Sequence, residues 1–291
     1  MSKLSVRDLN PIFGVEILGL EPHTPLDPQT LAHLRALFDD KGVLVFRDID
    51  IDIEFQTYLS EVLIGNDINP AELHLNEKFL ISNKAPAAAA PRGRLLYHCD
   101  QMWSENDRVD IISLYGLEVG QPAAPTMFVS AEHAWNTLPG DLRESVEARC
   151  SVQHYTSETY AKRAKGDTDV LVSTFDNPEA QTIKSVGLAH PRTGRKVLYV
   201  CQQTTESIEG LTDKESDALL DALFDHMYAN DKQYAHHWRE RDLVIWDNVS
   251  IQHARPNVTV EGPARTLRKT LRPIPSSTVK SPNYGKIAAT A

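Results

Sequence analysis

Cysteine is scarce: Cys99, Cys150 and Cys201 are the only three in 291 residues, far apart and without a CxxC pair. So few, in an odd number, argue against a disulfide framework and suit a reducing compartment. Long apolar runs are missing as well. No stretch reaches the roughly eighteen consecutive apolar residues that a membrane-spanning helix requires. Residues 1–10 lack the apolar core of a secretory signal. Positive charge is not in surplus, with 30 Lys and Arg against 40 Asp and Glu and a formal net charge of −10. General affinity for nucleic acid or for an anionic membrane is therefore not expected. The expectation is a soluble, cytoplasmic protein that handles a small molecule. An acidic surface still leaves room for an anionic substrate, because a buried cationic pocket acts locally.

What is present belongs to a folded protein: 41% hydrophobic and 24% charged residues exclude wholesale disorder. Residues 28–41 carry Leu31, Leu34, Leu37 and Phe38 at helical spacing behind Pro28, and Gly42 ends the pattern. A second helix is predicted over 52–64, two short ones within 131–149 broken at Pro139 and Gly140, and the clearest over 212–229. There Thr212 and Glu215 have capping-box spacing ahead of an apolar stripe. Short β-rich bursts fill most of the rest, including residues 42–48, 79–82, 109–119, 126–130, 150–155, 234–238, 242–247, 250–253 and 265–271. Residues 183–190 and 196–200 read as a hairpin around the turn Pro191-Arg-Thr-Gly, and residues 157–182 as a polar, irregular insertion. Residues 84–94, rich in alanine and proline, read as a mobile loop and a candidate lid. The whole is expected to be mainly β with flanking helices, a sandwich or barrel in one domain over 1–275. A Ser-, Thr- and Pro-rich tail at 276–291 is expected to be flexible.

The candidate chemistry centres on Tyr97-His-Cys-Asp-Gln-Met-Trp103. In an extended segment residues two apart share a side, so His98 and Asp100 can converge on one point. One imidazole and one carboxylate are two-thirds of the facial triad of non-heme Fe(II) oxygenases. His-x-Asp also arises by chance, so a third ligand is needed. Among eleven histidines, His253 is the candidate, following an apolar strand and the turn Trp246-Asp247-Asn248. Cys99, between the two ligand candidates, should face away.

The ordered set Tyr97-His-Cys-Asp, Thr126, Gly194-Arg-Lys-Val-Leu-Tyr-Val, Trp238-Arg-Glu-Arg-Asp-Leu-Val-Ile-Trp-Asp-Asn, Gln252-His253-Ala-Arg and Arg265-Thr-Leu-Arg resembles the TauD/TfdA family. These are the taurine and chlorophenoxyacetate dioxygenases, and the likeness runs from about residue 10 to residue 273. The resemblance implies a double-stranded β-helix, a cupin-like jelly roll, with His98, Asp100 and His253 as Fe(II) ligands. It also implies Thr126 and Arg265 at the distal carboxylate of 2-oxoglutarate, and O₂ as the second cosubstrate. A planar guanidinium fork suits a carboxylate. The implied activity is oxidation of a small, anionic organic substrate by hydroxylation, with cleavage where the new hydroxyl adjoins a heteroatom, releasing succinate and CO₂. The carboxylate ligand Asp100 argues against halogenation. Desaturation, cyclisation or oxidative decarboxylation at the same iron stays open, as does a cupin-like binding protein without turnover. A zinc hydrolase would leave Arg265 unexplained. Because relatives often form dimers or tetramers, a homo-oligomer is expected.

Two departures stand out. Family members usually read Gly-Gly-Asp-Thr before the cosubstrate threonine, where this chain has Ala123-Ala-Pro-Thr126. Pro125 fixes φ and removes a donor. The position of a second arginine, which holds the sulfonate in the taurine enzyme, is here Lys269, with Arg268 one residue earlier. Strand alternation puts 265, 267 and 269 on one face and Arg268 on the other, unless a bulge turns Arg268 inward. Candidate substrate contacts are therefore Lys269 and Arg268, with His74, Tyr97, Met102 and Trp103, and more weakly Phe128 and Tyr160. For the aromatics, ordinary core packing is the competing reading.

Overall fold

Two antiparallel strands, β1 (Ser5–Asp8) and β2 (Val15–Leu18), begin the computed structural model, which describes residues 4–22, 24–66, 80–85, 88–105, 107–171 and 181–274. Helix α1 (Pro28–Lys41) starts where Asp27 accepts from the Gln29 and Thr30 N–H groups at 3.0 and 3.1 Å. Pro28 needs no partner there, since a first-turn N–H has none anyway. Gly42 closes the helix at φ +69°, a left-handed conformation cheap only for glycine. Strand β3 (Val43–Phe46) and helix α2 (Ile53–Leu63), capped by Asp52, follow. Then come β4 (Leu80–Ser82), β5 (Leu95–His98), β6 (Ile111–Val119) and β7 (Thr126–Ser130). Pro139 separates α3 (Ala131–Asn136) from α4 (Gly140–Val146). Next are β8 (Cys150–His154), α5 (Ser157–Ala164), β9 (Gln181–Ser185), β10 (Gly187–Ala189), β11 (Lys196–Leu198) and β12 (Thr205–Ile208). Helix α6 (Asp213–Met227) carries the Thr212/Glu215 capping box. The last strands are β13 (Tyr234–His236), β14 (Leu243–Asp247), β15 (Ile251–Arg255) and β16 (Arg265–Arg272).

A seven-stranded sheet in the order β1-β2-β3-β14-β6-β16-β4 and a four-stranded sheet in the order β13-β7-β15-β5 make the jelly roll. Alternation divides the apolar residues between two faces. Val43, Val45, Val244, Trp246 and Leu267 of the large sheet meet Phe128 and Ile251 of the small one in a shared core. Leu44, Phe46, Leu243 and Ile245 point the other way, into a core with α1 and α2. A third core covers the outer face of the small sheet with α3 and α6. Phe128 meets Trp246 edge to face at 5.3 Å, and truncating either to alanine should cost about 3–5 kcal/mol. Among the described residues no helix is long and apolar enough to cross a membrane.

The structure departs from expectation in several places. Within the supposed irregular insertion, residues 157–164 form α5, capped by Thr156, and residues 181–185 form β9, paired with β8. The predicted hairpin is shorter, pairing Gly187 with Leu198 and Ala189 with Lys196, while Ile183 belongs to the neighbouring sheet. Strand β12 had no sequence signal. The described part of the candidate lid is packed rather than loose: Ala88, Ala89 and Ala90 are buried. The tail at 276–291 lies outside the described residues.

Candidate active site

Strands β5 and β15 are neighbours, and their register sets His253 opposite His98. Side chains directly opposite in an antiparallel pair share a face, and the two imidazole centroids lie 4.1 Å apart. The Nδ1–H of His98 donates to the Leu96 carbonyl at 2.8 Å. A carbonyl only accepts, so the proton sits on Nδ1 and Nε2 keeps its lone pair. Asp100 Oδ1 lies 3.3 Å from His98 Nε2 and 3.8 Å from His253 Nε2. One ligand atom from each of the three residues falls within 4.8 Å of the others. The cause differs from the expected alternation. β5 ends at His98, and a turn with Gln101 at φ +60° swings Asp100 back under the imidazoles.

A carboxylate on a turn needs an anchor that a strand ladder would otherwise provide. Asn248 Oδ1 accepts from the Asp100 N–H at 2.9 Å, while its Nδ2 donates to the carbonyls of Asp100 at 2.9 Å and Val109 at 3.0 Å. Asp247 beside it accepts from the Val249 and Ser250 N–H groups at 2.9 and 3.0 Å and from His190 Nε2 at 3.0 Å. It also takes a close contact from Arg192. One turn thus ties the β10–β11 hairpin and the Asp100 turn to the start of the strand that carries His253.

The other oxygen of Asp100, Oδ2, is in close contact with Lys269 Nζ. Burial alone would raise the Asp100 carboxyl. Lys269, with His98 and His253, outweighs it and holds the group well below the usual carboxylate range. Burial, with His98 alongside, pushes His253 well below the ordinary imidazole value, so it is neutral and can donate a lone pair.

Arg265 lies four residues from Lys269 on the same face of β16, roughly 13 Å along the strand. Its Nη2 donates to Thr126 Oγ1 at 3.0 Å and its Nε to the Ala124 carbonyl at 3.0 Å. The Ala-Ala-Pro-Thr departure therefore loses nothing here, because a carbonyl is used rather than the N–H that Pro125 lacks. Trp238 Nε1 donates to the same Thr126 oxygen at 2.9 Å. Arg255, two residues beyond His253, donates to the carbonyls of Ala90, Arg92 and Gly93 at 2.8, 3.0 and 2.8 Å. These three bonds hold the segment expected to be a lid. Burial, with Arg255 nearby, pushes Arg265 down to about 9, leaving it cationic at neutral pH. Among the described residues neither Arg265 nor Arg255 pairs with a carboxylate. An uncompensated buried guanidinium is expensive, so this end of the pocket is suited to an anion.

The remaining candidates separate. Arg268 points away, donating to Gln56 Oε1 at 2.7 Å and to the carbonyls of Ile51 and Asp52. The register shift on β16 falls between Thr266 and Leu267 and does not turn it inward. Tyr97 stacks on Tyr228 at 4.3 Å, and both it and Met102 sit in the core behind the small sheet, not beside the triad. Cys99 is in that same core, as expected. Phe128 belongs to the core between the sheets. Trp103 packs with Tyr155 and Tyr160. His74 lies outside the described residues. Sequence reading gave no role to Asn248, Trp238 or Arg255, although all three lie inside the motif segments quoted above.

The sequence matches the family described as "Taurine catabolism dioxygenase TauD, TfdA family" over residues 5–271. The chain belongs to the TauD/TfdA family. It is 27% identical to "Alpha-ketoglutarate-dependent dioxygenase cnsM" of Penicillium expansum, over 96% of this chain and 79% of that protein. It is 25% identical to the "Alpha-ketoglutarate-dependent 2,4-dichlorophenoxyacetate dioxygenase" of Cupriavidus pinatubonensis, over 84% of this chain and 89% of that protein. The fold is shared with a taurine dioxygenase from Burkholderia xenovorans at a TM-score of 0.72 and 23% identity, covering 92% of this chain and 88% of that one. As a TauD/TfdA protein it is a non-heme dioxygenase dependent on Fe(II), 2-oxoglutarate and O₂. The residues fit that requirement. Two imidazoles and one carboxylate converge, the donor set that suits ferrous iron with open positions.

Proposed function

We propose that this dioxygenase hydroxylates a C–H bond of a small organic anion while 2-oxoglutarate is converted to succinate and CO₂. His98, Asp100 and His253 hold the iron, and Thr126 with Arg265 binds the distal carboxylate of 2-oxoglutarate. The observation that carries the reading is the convergence of the three ligand atoms within 4.8 Å, with Lys269 reaching Asp100 from β16 of the facing sheet, the strand that also carries Arg265. Bound ferrous iron supplies the oxidant, generated from O₂ as the 2-oxoacid loses CO₂. The chain's own residues do the positioning. Neutral His253 and Nδ1-protonated His98 present lone pairs, Asp100 presents one oxygen, and Lys269 occupies the other. Three protein ligands leave the remaining positions to cosubstrate and O₂.

An anionic substrate is supported by Lys269, the one further cation that β16 turns inward. The Cupriavidus relative named above for 2,4-dichlorophenoxyacetate points to the same class. Trp103, three residues past Asp100, packs with Tyr155 and Tyr160 in a buried aromatic cluster, our candidate for the wall against which an apolar body would rest.

The test is spectroscopic. Protein with Fe(II) and 2-oxoglutarate under argon should show a weak visible charge-transfer band. His98→Ala and Asp100→Ala should abolish both the band and succinate release, and Arg265→Ala should raise the 2-oxoglutarate requirement. A folded protein without the band, or an unchanged requirement in Arg265→Ala, overturns the assignment. Succinate release across aryloxyacids, sulfonates and N-substituted amino acids then identifies the substrate class. Release driven only by uncharged compounds would overturn the anionic reading.

A further inference from the structure

We propose that Trp238 is a positioning residue that fixes the hydroxyl proton of Thr126 toward the cosubstrate and makes that end of the pocket selective for an ionised carboxylate. The inference rests on the proposed function, in which Thr126 and Arg265 meet the distal carboxylate. Thr126 Oγ1 receives two donors, Trp238 Nε1–H at 2.9 Å and Arg265 Nη2–H at 3.0 Å. A hydroxyl oxygen has two lone pairs and one proton. With both lone pairs taken, the proton can only be donated, and no acceptor for it occurs among the described residues. It is therefore directed at the ligand.

Without the indole N–H, one lone pair would be released, and the hydroxyl could act as acceptor as readily as donor. With it, Thr126 O–H and the Arg265 fork form a surface made only of donors. Arg265 Nη1 also makes no hydrogen bond among the described residues. An ionised carboxylate satisfies such a surface fully, whereas a primary amide brings its own N–H groups against it and leaves them unpaired. Trp238 is locked in place: it is 1% exposed, its ring meets His236 edge to face at 4.5 Å, and the Arg265 guanidinium lies 5.9 Å over it. The neighbouring strands set this geometry, since β13 pairs with β7 with His236 opposite Thr126. Trp238 acts through Thr126.

The experiment is a double-mutant cycle read by binding. Titrate 2-oxoglutarate into anaerobic Fe(II) protein by the charge-transfer band, and N-oxalylglycine into Mn(II) protein by calorimetry. Use wild type, Trp238→Phe, Thr126→Val and the double variant. Trp238→Phe should weaken 2-oxoglutarate binding roughly five- to thirty-fold, the scale of one buried hydrogen bond. It should leave Mn(II) affinity unchanged and narrow the preference for 2-oxoglutarate over 2-oxoglutaramate, its distal amide. In the Thr126→Val background the same change should cost less than about twofold, since the route through Thr126 is already gone. Benzothienylalanine placed at 238 keeps the bicyclic shape without the N–H. It should reproduce Trp238→Phe, which guards against a packing effect of the smaller ring. If Thr126→Val weakens binding while both changes at 238 leave it within twofold, the role of Trp238 is overturned and the proposed function stands. Effects at 126 and 238 that simply multiply would overturn that role in the same way. If Thr126→Val and Arg265→Met both leave 2-oxoglutarate binding unchanged, the proposed cosubstrate site itself fails.

Discussion

The side-chain amide of Asn248 brackets Asp100, accepting from its N–H and donating to its carbonyl, each at 2.9 Å. Both imidazoles of the triad are set by a strand ladder, whereas the carboxylate sits on a turn that this one amide clamps. Asn248→Asp keeps the size but removes both donors and sets a carboxylate against two carbonyls. Metal affinity should fall about ten- to hundred-fold, the usual consequence of losing a residue that orients a ligand. Mn(II) titration followed by electron paramagnetic resonance checks it, and affinity equal to wild type would mean that the turn holds itself.

The two cations at 268 and 269 should behave oppositely. Lys269→Met strips the ammonium from a buried carboxylate, so the metal-free protein should lose about 3–5 kcal/mol for a broken buried pair, and metal affinity, freed of a competing cation, should rise with no substrate present. Arg268→Ala removes bonds to α2 and should lower the melting temperature while leaving metal and 2-oxoglutarate binding unchanged. Were Lys269→Met to alter only the KM of a primary substrate, its contact with Asp100 would be incidental.

Acid should act through Asp247. Its burial opposes the charge, but His190 and Arg192 outweigh that and hold the carboxyl at about 2, against 3.8 in the unfolded chain. A depressed carboxyl stabilises the fold above the unfolded value and loses that effect as pH falls through the folded one. The difference is worth about 2 kcal/mol. Urea unfolding of wild type and Asp247→Asn should therefore differ at pH 7, and the gap should close between about pH 4 and pH 2. A gap independent of pH would mean that shape, not charge, makes Asp247 important.

Arg255 should control access of proteases to residues 88–94. Its guanidinium holds the carbonyls of Ala90, Arg92 and Gly93, so Arg255→Met takes that donor from all three and leaves Gly93 only the Val258 N–H at 3.3 Å. Trypsin should then cut after Arg92 and Arg94 several-fold faster than in wild type, as read by mass spectrometry of timed digests. An equal cutting rate would mean that burial of the alanines is enough to hold the segment.

Much of the fold was legible because apolar period and cap agreed, as in α1 between Asp27 and Gly42 and in α6 behind Thr212. Helix α5 was not, because its buried face includes Arg163, bonded to Asp217 and to the Thr205 and Glu206 carbonyls, so no apolar stripe shows. At the site, alternation alone placed Arg268 outward and Lys269 inward. The same rule applied to Tyr97, beside His98, puts it on the opposite side, and proximity in sequence had suggested otherwise. Convergence of His253 on His98 could not be read from local pattern, since pairing across 155 positions depends on which strands the jelly roll makes neighbours. Asn248, Trp238 and Arg255 act through bonds to groups far along the chain, and no spacing rule announces such bonds.

The pairing of β15 with β5 has a consequence for assembly. A slip of one residue would bring Gln252 or Ala254 opposite His98 and turn His253 to the other face. With His98 and His253 as the proposed iron ligands, only the native pairing would gain the binding energy of the ion, which would select the alignment of these strands by mass action. It also defines the smallest transplantable piece of this centre: one two-stranded ribbon, and the turn that Asn248 staples to it.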